Sequence, residues 1–207
     1  MSYSEKQWLE WMDLLSEDEY LIIDDFISDE LYEKIMLFFN EVEESDRLRK
    51  AGIGSMNEFQ VDRSIRGDVI YWLDRERDQK LEAFFCLMDE LMLALRRYCF
   101  LSLSGSEFHI AKYPAGTHYE RHLDQFNERS NRQITVLIYL NRNWKEGDGG
   151  ELKMYLESET NLVKPVAKRL LLFKSGSIEH EVLKTNVPRY SLTGWLLHQP
   201  SGLGYLF

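Results

Sequence analysis

A change of hydrophobic periodicity near residue 98 constrains the fold of this chain most strongly. Before it, apolar residues recur at helical spacing and predict helices over residues 4–16, from residue 29 to about 44, and over 79–98. After it, short runs rich in β-branched and aromatic residues predict strands at 108–113, 117–124, 133–141, 150–156, 170–173, 178–183 and 189–198. Helices followed by short strands favour an α+β fold, a β-barrel or jelly roll buttressed by N-terminal helices.

The length of 207 residues fits a single domain spanning residues 1–207. We expect residues 1–98 to be mainly helical support, with short strands at 20–24 and 69–73. Residues 99–198 should form the strand core that carries the chemistry.

Composition excludes several classes of protein. The net charge of −10 disfavours binding to nucleic acid or to an anionic membrane. No apolar run approaches the ~18–20 residues needed to span a bilayer, and the N-terminus lacks a secretory signal pattern. Two cysteines, Cys86 and Cys99, fit neither a disulfide framework nor a Cys-ligated zinc site, so we expect core thiols in a cytoplasmic protein. We also expect a monomer.

His122 and Asp124 are the first candidate metal ligands. They lie two residues apart in a predicted strand, so both side chains should leave the same face. His180, in a later predicted strand, is a candidate third ligand. Two histidines and one carboxylate leave coordination positions open, which suits an Fe(II) that must also bind O2 and a chelating co-substrate. Taken alone, the His122–Asp124 pair more often marks a surface histidine beside a solvated aspartate.

Arg189 opens the last predicted strand and points to an anion. Alternation places three further side chains on its face: Ser191, Thr193 and Trp195. An arginine that points into an apolar barrel needs an anionic partner, and its guanidinium fork fits a carboxylate. Tyr139 can donate its hydroxyl to the same anion. A structural ion pair with an acid such as Glu151 is the open alternative.

Several segments share a pattern with one known family. They are 113–117 (YPAGT), 119–124 (YERHLD), 132–141 (RQITVLIYLN), 147–152 (GDGGEL), 169–173 (RLLLF), 180–182 (HEV) and 189–195 (RYSLTGW). Together they resemble the prolyl 4-hydroxylase branch of the 2-oxoglutarate- and Fe(II)-dependent oxygenases. Residues 65–68 (IRGD), followed by Trp72, are similar to the hypoxia-inducible-factor prolyl hydroxylases and their bacterial relatives. The resemblance spans roughly residues 20–198 and implies a double-stranded β-helix core.

The resemblance also implies roles for the matching residues. The implied iron ligands are His122, Asp124 and His180. The residues implied to bind 2-oxoglutarate are Arg189, Tyr139, Tyr113, Thr193 and Trp195. O2 would be the other co-substrate and ascorbate the reductant. The implied reaction converts 2-oxoglutarate into succinate and CO2 and hydroxylates a proline of a protein substrate at C4.

Residues 47–66 show neither helical nor strand periodicity and are predicted to form a long loop. In the resembling subfamily the equivalent loop folds over the substrate. The residues proposed for such a lid are Arg49, Lys50, Gly52, Gly54 and Arg66. A solvated loop is the alternative. The turn at 113–119 is one residue shorter than in the animal enzymes, which favours the bacterial branch and a translation elongation factor as substrate.

Other functions remain open at this stage. A 2-oxoglutarate-dependent hydroxylase could act on another residue type or on a small molecule. A nucleic-acid demethylase of the same superfamily should carry a second arginine at position 195, where this chain has tryptophan. A zinc hydrolase would leave Arg189 and Tyr139 without a role. A non-catalytic jelly-roll binding module would not need the three metal ligands.

Overall fold

The computed structural model describes residues 3–51, 65–125 and 131–198. Within these ranges lie three α-helices: α1 (Glu5–Asp18), α2 (Asp29–Glu44) and α3 (Glu82–Tyr98). A short 3-10 helix, Gln79–Leu81, leads into α3. The strands of the same ranges are β1 (Tyr20–Ile23), β2 (Arg49–Lys50), β3 (Val69–Trp72), β4 (Leu103–Tyr113), β5 (Tyr119–His122), β6 (Arg132–Tyr139), β7 (Leu152–Tyr155), β8 (Thr160–Val163), β9 (Leu170–Lys174), β10 (Glu179–Val182) and β11 (Arg189–His198).

The first two helices each begin after a serine N-cap, as expected for a serine that precedes an acidic, amphipathic segment. Ser4 forms a capping box with Gln7, in which each side chain accepts a hydrogen bond from the other residue's backbone N–H. The Ser28 hydroxyl accepts from the Leu31 N–H at 3.2 Å. All three predicted helices are confirmed, with ends that differ by a few residues at most. None of the helices in the described ranges is long and apolar enough to cross a bilayer.

The strands form two antiparallel sheets. The larger sheet has the order β1-β9-β6-β11-β4-β3-β2, and the smaller one has the order β5-β10-β7-β8. Alternate residues of the large sheet face opposite layers: Val136 and Ile138 pack with the helices, whereas Leu137 and Tyr139 pack against the small sheet. The α+β jelly roll with helices on its outer face is therefore confirmed.

Gly194 permits the closest approach between two central strands. A Cβ atom at this position of β11 would collide with the Phe108 ring and the Glu107 carbonyl oxygen of β4. The absence of a side chain permits the pairing of these strands, which keep one register over residues 105–113 and 189–197.

Several sequence expectations need correction. The four-residue strand β8 was not predicted, because Thr160-Asn-Leu-Val163 is short and half polar. β5 ends at His122, so Asp124 lies just beyond the strand rather than within it. Cys86 is exposed, not a core thiol, and Cys99 is half-buried. Gly52 and Gly54 lie outside the described residues.

Candidate active site

The three candidate metal ligands converge between the two sheets. His180 on β10 is the direct cross-strand partner of His122 at the end of β5. Asp124 lies between them, with Oδ1 3.6 Å from His122 Nε2 and Oδ2 3.6 Å from His180 Nε2. The three donor atoms lie within 4.8 Å of one another. One side of a metal ion could therefore contact all three.

Backbone carbonyls orient both imidazole rings. His122 Nδ1 lies 2.7 Å from the Glu120 carbonyl oxygen, and His180 Nδ1 lies 3.2 Å from the Ile178 carbonyl oxygen. A proton on each Nδ1 leaves Nε2 free as a metal-binding lone pair. Burial lowers the pKa of His180 to about 4, although the Asp124 carboxylate opposes that shift. The ring is therefore neutral at physiological pH, which is the form that binds metal.

Asp124 is buried and ionised. Burial alone would raise its pKa, but His180, His122 and the Thr135 hydroxyl together hold that pKa below its usual range. Thr135 on β6 donates to Asp124 Oδ2 at 2.7 Å, and its oxygen lies 2.8 Å from the Ser175 hydroxyl. The hydroxyl fixes one carboxylate oxygen, so the carboxylate meets a metal in a defined orientation.

Arg189 lies buried at the start of β11, opposite Tyr113 on β4. Its Nε donates to the Gly150 carbonyl oxygen at 2.8 Å, and Nη1 lies 3.4 Å from the Ser191 hydroxyl. Nη2 has no hydrogen-bond partner in the part of the chain that the structure describes. Among the described residues no carboxylate pairs with this guanidinium, so the alternative of an ion pair with Glu151 finds no support.

Tyr139 supplies a second buried donor beside Arg189. Its ring centroid lies 5.2 Å from the Arg189 guanidinium carbon, and its hydroxyl makes no hydrogen bond of normal geometry. Burial raises the pKa of Tyr139 to about 12, against the opposing charge of Arg189. The hydroxyl is therefore neutral and can donate. A cation and a hydroxyl without a common partner form a recess suited to a ligand carboxylate.

Strand register places the other predicted pocket residues on this inner face. Thr193 on β11 pairs with His109 of β4 on one side and with Leu137 of β6 on the other. Its hydroxyl oxygen is 3.2 Å from that of Ser191. Trp195 is buried, and its Nε1 has no hydrogen-bond partner among the described residues. Tyr113 lies beneath Arg189, with 5.0 Å between its ring centroid and the guanidinium carbon.

The proposed lid residues have different environments. Arg49 and Lys50 are exposed on β2, a strand inside the predicted loop, which pairs with β3 at the sheet edge. Arg66 is largely buried and forms a bidentate ion pair with Asp68, at 2.6 and 2.9 Å. Its charge is thus already paired within the chain.

Three residues of this region were not singled out for the site from the sequence. Thr135 binds the Asp124 carboxylate, and the Tyr119 ring stacks on the His122 ring at 3.7 Å. His109 is buried, its Nδ1 has no hydrogen-bond partner among the described residues, and burial lowers its pKa to about 3. Strand alternation could have placed His109 and Thr135 on the inner face, but their contacts depend on the pairing of strands.

Comparison with known proteins defines the class first. The family model of the 2OG-Fe(II) oxygenase superfamily matches residues 108–197, which hold all three candidate ligands. Prolyl hydroxylase EGLN3 of Mus musculus is 30% identical over 194 residues, covering 87% of this chain and 79% of that protein. The human protein of the same name matches over the same shares at 30% identity.

Solved structures agree with this class. A Pseudomonas putida prolyl-4-hydroxylase superposes with a TM-score of 0.85 at 32% identity, covering 93% of this chain and 100% of that one. A Trichoplax adhaerens prolyl hydroxylase, in complex with a peptide of the hypoxia inducible factor oxygen degradation domain, has a TM-score of 0.84 at 28% identity, with 93% and 90% covered. The chain belongs to the prolyl hydroxylases of the 2OG-Fe(II) oxygenase superfamily. It is an Fe(II)- and 2-oxoglutarate-dependent dioxygenase with the double-stranded β-helix core that its sequence implied.

The residues present fit both groups that this family uses. Two imidazoles and one carboxylate form the donor set suited to non-haem Fe(II) with open positions. The unpartnered Arg189 Nη2 and Tyr139 hydroxyl fit the distal carboxylate of 2-oxoglutarate.

Proposed function

We propose that this enzyme is a peptidyl-prolyl 4-hydroxylase. It would couple oxidative decarboxylation of 2-oxoglutarate to succinate and CO2 with hydroxylation of a proline in a protein substrate. One observation carries the proposal: a largely buried His-Asp-His cluster lies between the two sheets, and the inner face of the large sheet carries two donors without a hydrogen-bond partner among the described residues, Arg189 Nη2 and the Tyr139 hydroxyl. The similarity to prolyl hydroxylases, one of them solved with a peptide, supports a prolyl residue of a protein as the target.

Each residue has a defined part in this proposal. His122, Asp124 and His180 would hold the iron. When bound, Fe(II) supplies the redox chemistry that couples O2 and 2-oxoglutarate to C–H hydroxylation. Arg189 and Tyr139 would hold the distal carboxylate of the co-substrate. Three further side chains would line the pocket and limit the access of water: Tyr113, Thr193 and Trp195.

The finer points of the proposal concern the partners. We propose a translation elongation factor as substrate, supported by similarity to a bacterial prolyl-4-hydroxylase. Residues 47–66 would close over that substrate through Arg49, Lys50, Gly52 and Gly54, whereas Arg66, which is paired with Asp68, would anchor the end of the segment. Deleting residues 50–56 should then reduce turnover of the protein substrate and spare uncoupled decay of 2-oxoglutarate.

We further propose that the enzyme is a cytoplasmic monomer that uses ascorbate as reductant. The free thiols of Cys86 and Cys99 suit a reducing compartment.

Mass spectrometry tests the reaction directly. A bacterial lysate and a purified elongation factor are each incubated with enzyme, Fe(II) and 2-oxoglutarate, and peptides are searched for one added oxygen on proline. The Asp124→Ala variant is the matched control, because it removes a metal ligand. Oxidised proline that depends on Asp124 supports the proposal. Oxidation of another residue type, or of small molecules alone, would favour the alternative hydroxylases.

A further inference from the structure

Of the two histidine ligands, His122 has less support from the sheets. The strand that ends with it, β5, is four residues long and forms the edge of the small sheet. Its pairing with β10 is irregular, since the register shifts between His180 and Val182. His180 lies on β10, which pairs with strands on both sides. The His122 side chain is also the most exposed of the three, at 18% against 5% for His180 and 7% for Asp124.

Residues 65–68, which we call the Arg66 strap, run along the outer edge of β5. The Glu120 N–H donates to the Ile65 carbonyl oxygen at 2.9 Å, and the Gly67 N–H donates to the His118 carbonyl oxygen at 3.1 Å. Arg66 forms an antiparallel bridge with Tyr119. The strap thus supplies β5 with the second neighbour that the sheet lacks.

Side chains extend this support to the ligand itself. The Tyr119 ring stacks on the His122 ring, with 3.7 Å between centroids and 19° between planes. The Arg66 guanidinium carbon lies 4.7 Å from the Tyr119 centroid. The Asp68 carboxylate, whose side chain is 1% exposed, holds that guanidinium by two hydrogen bonds. These side chains form a continuous column from Asp68 to the metal ligand.

We propose that Arg66 and Tyr119 are positioning residues that fix the ring plane of His122 for metal binding. The bond from His122 Nδ1 to the Glu120 carbonyl sets the tautomer, but one hydrogen bond leaves the ring free to tilt. A stacked ring, itself held by a fixed guanidinium, removes that freedom. The inference rests on the metal site of the proposed function. Outer partners of metal-binding histidines contribute about 10- to 100-fold in metal affinity.

The chain contains a matched control for this column. Arg77 lies 4.7 Å from the Tyr71 ring centroid and binds the buried Asp78 carboxylate by two hydrogen bonds, at 3.0 and 2.8 Å. It therefore combines a similar cation–ring contact with a similar ion pair, on a side chain that is more exposed, at 53% against 12% for Arg66. Tyr71 contacts none of the three metal ligands in the contacts described.

The experiment measures metal affinity without turnover. The metal-stripped full chain is titrated with Mn(II) in the absence of 2-oxoglutarate, and thermal unfolding of each variant is followed without metal. Arg66→Gln and Tyr119→Leu should each weaken Mn(II) binding about 10-fold or more. Tyr119→Phe, which keeps the stacked ring, and Arg77→Gln should stay within about twofold of the wild type.

Two results would overturn the inference. One is an Arg66→Gln affinity no weaker than that of Arg77→Gln. The other is an equal loss of Mn(II) affinity in Tyr119→Phe and Tyr119→Leu. This second comparison does not involve Arg66, so it tests the inference even if Arg66→Gln does not fold. Failure of the wild-type chain to bind Mn(II) would instead overturn the metal site and the proposed function together.

Discussion

The Tyr139 hydroxyl offers the sharpest test of the co-substrate recess, because it makes no hydrogen bond of normal geometry to any residue that the structure describes. Tyr139→Phe removes this one oxygen atom from a fully buried ring and leaves the Arg189 contacts to Gly150 and Ser191 intact. The deletion leaves no protein group unpaired, so the ligand-free fold should lose no stability. If the hydroxyl donates to a bound carboxylate, the whole cost should fall on 2-oxoglutarate binding.

The size of that cost follows from the charge of the acceptor. A hydrogen bond from a neutral donor to a carboxylate contributes about 1.5–3 kcal/mol, which corresponds to about a 10- to 150-fold increase in Kd. The hydroxyl is protonated throughout the physiological range, since burial raises the pKa of Tyr139 to about 12. The effect should therefore not vary between about pH 6 and 8.

Calorimetric titration of Mn(II)-loaded protein with 2-oxoglutarate measures the affinity, and urea unfolding of the metal-free protein measures the stability. Tyr32→Phe is the matched control. The Tyr32 hydroxyl donates to the Leu140 carbonyl oxygen at 3.0 Å on the helical side of the sheet, so its loss should cost about 1 kcal/mol of stability and leave 2-oxoglutarate affinity unchanged. The reasoning is refuted if Tyr139→Phe binds 2-oxoglutarate normally, or if it destabilises the ligand-free protein as much as Tyr32→Phe.

Three further changes test neighbouring parts of the structure. Arg189→Lys keeps the charge but loses the planar fork, so Kd for 2-oxoglutarate should rise about 10-fold or more in the same titration. Thr135→Val removes the donor to Asp124 Oδ2 and should weaken Mn(II) binding about 10-fold while circular dichroism stays unchanged; unaltered metal affinity would contradict this support. Gly194→Ala forces a methyl group against Phe108 and should destabilise the protein by about 1–3 kcal/mol in urea unfolding, whereas equal stability would show that the strands can separate.

Local patterns were enough to predict the helices and most of the core strands. Period and capping signals lie within a few residues of each other, as at Ser28 before α2, so no tertiary information is needed to read them. β2 and β8 were not predicted, because they are strands by virtue of their pairing with β3 and β7 and their composition gives no strand signal. The end of β5 depends likewise on the irregular pairing with β10.

The site divides in the same way. Its chemically distinctive members, His122, Asp124, His180 and Arg189, could be singled out as candidates from residue type and spacing, and the family resemblance then implied their roles. The residues that hold them could not. A threonine such as Thr135 is common in any strand, and its bond to Asp124 joins positions 11 residues apart across the site. The strap contacts of Arg66 likewise depend on the fold bringing residues 65–68 beside β5.

The unsatisfied polar atoms show why these two kinds of residue differ. In the described part of the chain, four buried side-chain atoms lack a hydrogen-bond partner: His109 Nδ1, Tyr139 Oη, Arg189 Nη2 and Trp195 Nε1. Each such atom costs about 1–3 kcal/mol unless a ligand or water pairs with it. All four residues occupy the inner face of the large sheet, on β4, β6 and β11, from which Thr135 reaches the metal ligand Asp124. Selection for stability alone would have removed these unsatisfied atoms. Their concentration on this face therefore indicates that a ligand, and not the folded chain, supplies their hydrogen-bond partners.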